Sequence, residues 1–336
     1  MIISRTPFRI SFAGGGTDLR SFYAHEPGLV LSTSIDKYLY VIMRRQLGLV
    51  EFKYRVNYST VEFCHTIDEI KHPIVREAFR MYGIDFPVEV TTFADIPAST
   101  GLGSSSAFGV GLVHAIQAML GRLVTKSQLS TAAAHIEVDL IGRSMGKQDH
   151  FASAYGNFNV FSFNPDETVG VEPVFYRPEV KRALEQHLLM FYTGLKRDAS
   201  VVLAAQKRST AEKMDVLRAM KAQVAPLREI LSSGRNLHDV GRILHEGWEL
   251  KRSITPEISN SEIDVCYEKA RRAGAIGGKI LGAGGGGFLL FFVEPHNHNA
   301  VIDALHGLYR VPFSFDVGGS RITYYDQTIT DPLPKS

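Results

Sequence analysis

Pro97-Ala98-Ser99-Thr100-Gly101-Leu102-Gly103-Ser104-Ser105-Ser106-Ala107-Phe108 leads straight into a stretch of helical periodicity. Backbone N–H groups at a helix N-terminus attract anions, and glycine lets the backbone approach a phosphate closely. Serine hydroxyls add hard oxygens of the kind that bind Mg2+. The segment therefore reads as a triphosphate cradle. A serine-rich cap on a buried helix is the plainer reading, but such a cap needs neither two glycines nor three serines.

Two further glycine runs flank it. Lys279-Ile280-Leu281-Gly282-Ala283-Gly284-Gly285-Gly286-Gly287-Phe288 contains a formal G-x-G-x-x-G. A dinucleotide loop lies between a strand and a helix, whereas these glycines precede the apolar strand Phe288 to Val293, so alone they suggest a tight hairpin. No Walker A pattern occurs. Pro7-Phe8-Arg9-Ile10-Ser11-Phe12-Ala13-Gly14-Gly15-Gly16-Thr17-Asp18 ends a strand with glycines and then a carboxylate. Alone, its Arg and Asp read as a surface ion pair.

These segments need elements to hold them. Residues 2–12, 28–35, 38–45 and 52–57 carry β-branched and aromatic residues in alternating runs, and predict a first lobe that begins as sheet. Phe108, Leu112, Ala115, Ile116 and Met119 recur at helical spacing within 102–120, and a second helical pattern covers 127–141. A short helix at 146–154 and strands at 156–163 and 188–192 follow. Three or four helices are expected over 199–272, then strands within 279–293 and 321–325 with a helix at 297–308 between them. The tail after Thr328 is expected to be disordered. Trp248 reads as a helix-to-core contact, and His296 with His298 in a polar loop is a weak metal pattern.

Composition narrows the class. Lys and Arg total 37 against 35 Asp and Glu, so the chain lacks the basic excess that nucleic-acid binding requires. Its two cysteines, Cys64 and Cys266, cannot form a disulfide framework or a Cys-rich metal site. No apolar run approaches the ~18 residues of a membrane span, and Ser4, Arg5, Pro7 and Arg9 interrupt any signal-like core. A soluble, cytoplasmic, two-lobed protein is expected, with no nucleic-acid or membrane partner.

The three glycine segments, in this order, resemble the three motifs of the GHMP kinases: P-x-R/K with G-x-x-x-D, then P-x-x-x-G-L-G-S-S, then K-x-x-G-A-G-x-G-G. Beyond the motifs, Gly146-Lys147-Gln148-Asp149-His150, Tyr192-Thr193-Gly194 with Arg197, and Trp248-Glu249-Leu250-Lys251-Arg252 are similar to the bacterial heptose 7-phosphate kinases of that superfamily. The similarity spans about residues 1–326. It implies an α+β fold with a ribosomal-protein S5-like lobe over 1–186, which binds ATP, and a ferredoxin-like lobe over 187–330, with the active site between them.

The resemblance also implies roles. Pro97, Gly101, Leu102, Gly103, Ser104, Ser105 and Ser106 would bind ATP, and Ser105 with Glu137 would hold Mg2+. Gly282, Gly284, Gly285 and Gly286 form the third motif. Asp149 lies twelve residues past Glu137, a spacing like that between the metal carboxylate and the catalytic aspartate of galactokinase. It would act as general base, with Arg9 favouring the developing alkoxide. Asp139 is expected to face elsewhere on its helix. Glu137 also reads as a solvated helix charge, and Asp149 as a helix cap. Asp18 would accept a sugar hydroxyl, with Thr17, Gly15 and Gly16 beside it. Galactokinase carries Glu and His where Gly15 and Gly16 stand, so a larger or phosphorylated sugar is expected, its phosphate met by Arg197 or Lys251. Solvated helix cations remain the plainer reading of those two.

The implied reaction is transfer of the ATP γ-phosphate to the anomeric hydroxyl of D-glycero-D-manno-heptose 7-phosphate. The implied partner is this small phosphosugar, and a homodimer is compatible with it. An anomeric kinase for an unphosphorylated sugar such as fucose or galactose is the alternative enzyme. A sugar and ATP sensor of the same fold is the alternative from another class, and it would have no need of a base. Decarboxylation of a phosphorylated acid fits the sugar-kinase-like stretches less well.

Overall fold

The computed structural model describes residues 1–47, 49–195, 202, 204–205 and 211–326. The chain opens with β1 (Ile2–Ala13), the single turn α1 (Arg20–Tyr23), β2 (Gly28–Arg45), β3 (Tyr54–Asn57), β4 (Val61–Cys64), α2 (Pro73–Tyr82) and β5 (Val88–Ala94). Helices α3 (Ser104–Met119) and α4 (Lys126–Ala134) follow, then a π-helical turn at His135–Leu140, α5 (Gln148–Tyr155), β6 (Asn159–Phe163), β7 (Val169–Pro173), α6 (Pro178–His187) and β8 (Leu188–Tyr192). The remaining elements are α7 (Met214–Ala222), α8 (Val224–Ser233), α9 (His238–Arg252), α10 (Ser261–Arg272), β9 (Ala275–Ile280), β10 (Phe288–Val293), α11 (His298–Ala304), β11 (Tyr309–Arg310), β12 (Phe315–Asp316) and β13 (Arg321–Tyr325).

In the first lobe the sheet runs β13-β1-β2-β5-β3-β4, with β6 and β12 also joined to β2 and β7 joined to β6. The sequence splits β2 into two strands, and the structure shows why. Its first part pairs with β6 and its second with β5, while the ladder to β1 shifts register between Pro7 and Arg9. One long strand thus serves two sets of neighbours. Helix α3 lies across β1 and β2, and Phe108, Leu112, Ala115 and Ile116 are buried, as the spacing predicts. Full burial of each large side chain is worth roughly 1.5–3 kcal/mol. Gly111 brings the helix close to the sheet, and Ser4 Oγ donates to its carbonyl at 2.7 Å. At the start of α4, Thr125 and Gln128 form a reciprocal capping box.

The second sheet runs β11-β8-β10-β9, all antiparallel. All six residues of β10 are buried, which accounts for its unbroken apolar sequence. Helices α7 to α10 fill most of the predicted helical stretch. Trp248 is fully buried against Tyr267, confirming its packing role. The chain then returns to the first lobe, with β12 pairing with β2 and β13 with β1. A division between 186 and 187 would place these strands with the second lobe. A local strand pattern carries no information about such a distant partner. Elements α2, β4, β5, β7 and α6, and the short α1, β11 and β12, have no counterpart among the elements expected from the sequence. Among the described residues no helix is long and apolar enough to cross a membrane.

Candidate active site

Helix α3 begins at Ser104, and its N-cap, Gly103, has φ of 77°. That left-handed conformation is one glycine adopts without strain. Gly101 also has positive φ, and a Cβ there would collide with the Leu281 carbonyl, just as one on Gly282 would come within 2.5 Å of the Gly101 carbonyl. The glycines of the second and third motifs thus let two backbones touch across the lobe boundary. Gly284 and Gly286 press in the same way on Ile258 and Leu195, and the Gly285 N–H donates to the Ile258 carbonyl at 2.8 Å.

A cleft of about 730 Å3 opens in front of the α3 N-terminus. One end is apolar and aromatic, with Leu39, Ile74, Ile96, Tyr58, His72 and Phe108 on its walls. The rings of Tyr58 and His72 lie 4.7 Å apart, and those of His72 and Phe108 4.8 Å apart. Burial lowers His72 below the usual histidine value, which keeps this slot neutral. The other end is polar.

There Arg9 makes a fork to Asp149, Nε and Nη2 each donating to one carboxylate oxygen at 2.6 Å. Its Nη1 donates to the Gly101 carbonyl at 2.6 Å, so one side chain ties β1, the second-motif loop and α5 together. Asp149 is the second residue of α5 and makes no cap. Asp18 is buried beside it, accepting from the Gly16 N–H at 3.0 Å, the Gln148 N–H at 3.2 Å and Gln148 Nε2 at 2.9 Å. Burial, and then the charge of Asp149, push the Asp18 carboxyl up to about 6 against those hydrogen bonds.

Ser105 and Glu137 also meet. The Ser105 hydroxyl donates to Glu137 Oε1, and Arg143 Nη1 donates to both oxygens. His150 Nε2 lies 2.8 Å from Glu137 Oε2. Burial alone would push the fully enclosed Glu137 carboxyl up. The His150 ring, the Ser105 hydroxyl and Arg143 outweigh it and hold the group below its usual value. A charged carboxylate beside a hydroxyl is a hard-oxygen pair, and this donor set fits Mg2+. Asp139 instead pairs with His135 at 2.7 Å on the outside, away from this pair.

Lys251 and Lys279 reach the cleft from the second lobe, both more than nine-tenths buried. Lys251 donates to the Gly282 carbonyl, and Lys279 to the carbonyls of Ser11 and Phe12 at 2.9 and 3.3 Å. Burial, then Arg9, lowers Lys251 to about 8, against the pull of Asp149 and Asp18.

The cleft collects Arg9, Gly15, Gly16, Asp18, Gly101, Gly103, Ser104, Ser105, Ser106, Asp149, Lys251 and Gly282 of the predicted residues. Others support it from behind. Thr17 is fully buried, its hydroxyl donating to the carbonyls of Gly14 and Leu29, and the Leu102 carbonyl accepts from the Arg9 N–H. Pro97 offers its carbonyl to Thr100. Arg197 lies outside the described residues. Sequence reasoning passed over Arg143, Gln148, His150 and Lys279 as working residues. The last three sit inside stretches quoted for their resemblance, whereas nothing in the sequence marks Arg143.

Phosphoryl transfer asks a protein for positioning and charge neutralisation more than for covalent chemistry, and this cleft supplies both, which makes the class a phosphotransferase. The comparison with known families makes the class particular. The chain belongs to the GHMP kinases, matching the GHMP kinases N terminal domain over 69–157 and the GHMP kinases C terminal domain over 211–311. It is 28% identical over 317 residues to a D-glycero-alpha-D-manno-heptose 7-phosphate kinase of Campylobacter jejuni, covering 90% of this chain and 93% of that one. It is 24% identical to a galactokinase of Pyrococcus furiosus, over 94% and 95% of the two chains. The crystal structure of a D-glycero-D-manno-heptose 1-phosphate kinase from Bacteroides thetaiotaomicron shares the fold, with TM-score 0.79 and 24% identity over 97% of this chain and all of that one. The α+β fold with its S5-like and ferredoxin-like lobes is therefore that of this family.

Proposed function

We propose that this chain transfers the γ-phosphate of ATP to the anomeric hydroxyl of D-glycero-D-manno-heptose 7-phosphate, giving the 1,7-bisphosphate, with Mg2+ as cofactor. The observation that carries the reading is the acceptor end of the cleft. A Cβ on Gly15 would have no neighbour nearer than 3.7 Å, and Lys251 meets no carboxylate there among the described residues. The end thus offers both room and positive charge to a sugar that already bears a phosphate. The named activity of the Campylobacter relative supports the same reading.

Each residue then has a task. The backbone of Gly101 to Ser105 and the α3 N-terminus would cradle the phosphates, and the apolar slot at Tyr58, His72 and Phe108 would take the flat base. Ser105 and Glu137 would hold Mg2+, which supplies charge neutralisation at the β- and γ-phosphates. Asp18 accepts a sugar hydroxyl and fixes the ring. Asp149 accepts the proton of the attacking hydroxyl, and the Arg9 fork fixes the carboxylate in place for it.

An ADP-release assay with heptose 7-phosphate, the same heptose without phosphate, galactose and fucose tests the reading. A far higher kcat/KM for the phosphorylated heptose is expected, because binding energy from a remote phosphate helps to position the reacting hydroxyl. Replacing Lys251 or Arg197 by Ala should narrow the gap by roughly 1.5–3 kcal/mol if that residue grips the phosphate. Equal use of both heptoses would move the proposal to an unphosphorylated acceptor, the reading that the Pyrococcus galactokinase would favour.

A further inference from the structure

Two lysine amines enclosed in one cleft are costly to charge unless something compensates them, and burial, then the neighbouring Lys251 and Arg9, push Lys279 well below its usual value. Lys251 and Lys279 are 8% and 7% exposed, and among the described residues neither meets a carboxylate. Among the described residues backbone carbonyls take one donor of Lys251 and two of Lys279, so that with both amines protonated two N–H groups stay unused on the first and one on the second. Ser11 adds a third element. Its side chain lines the same cleft, is 8% exposed and has no hydrogen-bond partner among the described residues, while its own carbonyl holds Lys279. The position of a Cβ on Gly15 lies 3.7 Å from that hydroxyl. Ser11, Lys251 and Lys279 line the same cleft as Gly15.

Arg9 is already committed to Asp149 and Gly101, and Arg143 to Glu137 and Ser105. Beside the acceptor end, the donors left over among the described residues include those of Ser11, Lys251 and Lys279. Carbonyl oxygens hold the amines in place without neutralising them, which is the arrangement a dianion needs on arrival.

We propose that Ser11, Lys251 and Lys279 form a subsite for a phosphoryl group, which on the functional reading above is the acceptor's own phosphate ester. The subsite spans both lobes, because Ser11 closes β1 while Lys251 and Lys279 belong to α9 and β9. A phosphoryl group seated there would contact both lobes at once.

The test compares the wild-type chain with Lys251→Met, Lys279→Met and Ser11→Ala. The methionines keep volume and remove charge, and a thermal melt first confirms that each variant folds. Calorimetric titrations use inorganic phosphate, heptose 7-phosphate, unphosphorylated heptose, ADP and a non-hydrolysable ATP analogue. Each methionine variant should lose about 10- to 100-fold in affinity for inorganic phosphate and heptose 7-phosphate, the worth of one or two hydrogen bonds from a charged donor. Ser11→Ala should lose less, and affinities for heptose and ADP should not move. A loss that falls on the ATP analogue, with ADP and heptose 7-phosphate unchanged, keeps a phosphoryl site and assigns it to the nucleotide's terminal phosphate. Unchanged binding of inorganic phosphate, heptose 7-phosphate and the ATP analogue in both folded methionine variants overturns the proposal. The inorganic phosphate titration needs no sugar, so its outcome stands even if heptose 7-phosphate proves not to be the substrate.

Discussion

Replacing Asp149 by Asn removes one charge and one acceptor from the centre of the cleft while leaving its shape. Arg9 Nε can still donate to the amide oxygen, and Nη1 keeps its bond to the Gly101 carbonyl. The second arm of the fork, now 2.6 Å long, would face an NH2 group. A guanidinium that is 4% exposed then loses a charged partner, which should lower stability by about 1.5–3 kcal/mol. Turnover should fall much further. A positioned base is worth roughly 10²–10⁴-fold, so kcat should drop by that factor. Affinity for ATP should hold, because the loop proposed to cradle the phosphates keeps its tie to Arg9. A third readout is independent of activity. The charge of Asp149 is the second cause that raises Asp18, so the Asp18 carboxyl should titrate lower in the variant while burial keeps it above an ordinary carboxylate. Steady-state kinetics, nucleotide titration and carboxyl NMR give the three numbers. Near-normal kcat would remove Asp149 from the mechanism and leave direct attack by the hydroxyl. Normal kcat together with weakened ATP binding would show that the fork to Arg9 serves the second-motif loop instead.

Ser105→Ala and Glu137→Gln should each raise the Mg2+ concentration needed for half-maximal rate, since both oxygens are assigned to the metal; an unchanged Mg2+ dependence in both variants defeats that assignment. The pH profile should carry an acidic limb near pH 6, because Asp18 holds a sugar hydroxyl more strongly when ionised, and Asp149→Asn should move that limb to lower pH in its residual activity. Asp18 also bears on stability. Its folded value of about 6 lies above the ordinary 3.8, so its contribution is fully present below about pH 4 and is lost as pH rises through 6, a swing of at most about 3 kcal/mol. Denaturant melts of Asp18→Asn across this range should show a correspondingly flatter curve.

Much of the core was legible because single segments carry their own signal. The α3 stripe from Phe108 to Met119, the apolar β10 and the short β8 each announce themselves within a few residues. The glycine segments were legible for another reason, since a backbone that must be approached closely leaves few residue types to choose from. What stayed hidden depends on partners far along the chain. Nothing local in Arg321–Tyr325 shows that it pairs with Ile2–Arg5, and Arg143 looks like any loop cation until the fold sets it against Ser105 and Glu137. Lys279 shows the same limit. It stands at the head of the third motif, yet its task emerges only when its amine is found on the carbonyls of Ser11 and Phe12.

Those long-range contacts explain why the glycines and the charges occur together. Arg9 joins the first sheet to the second-motif loop and to α5, Lys279 joins β9 to β1, and Lys251 joins α9 to the turn at Gly282. The turn itself rests on Gly101, whose carbonyl Arg9 also holds. The proposed phosphate cradle, base and acceptor cations are thus tied to neighbouring backbone carbonyls, those of Gly101, Gly282, Ser11 and Phe12. A shift of the second lobe against the first moves the lysines and the loop at once, and with them the distance between the attacking hydroxyl and the γ-phosphate. Geometry of that kind is where phosphoryl transfer draws most of its rate, since errors of about an ångström in placement cost on the order of 10²-fold. Glycine at the lobe contact and paired charges around it are accordingly parts of one positioning device.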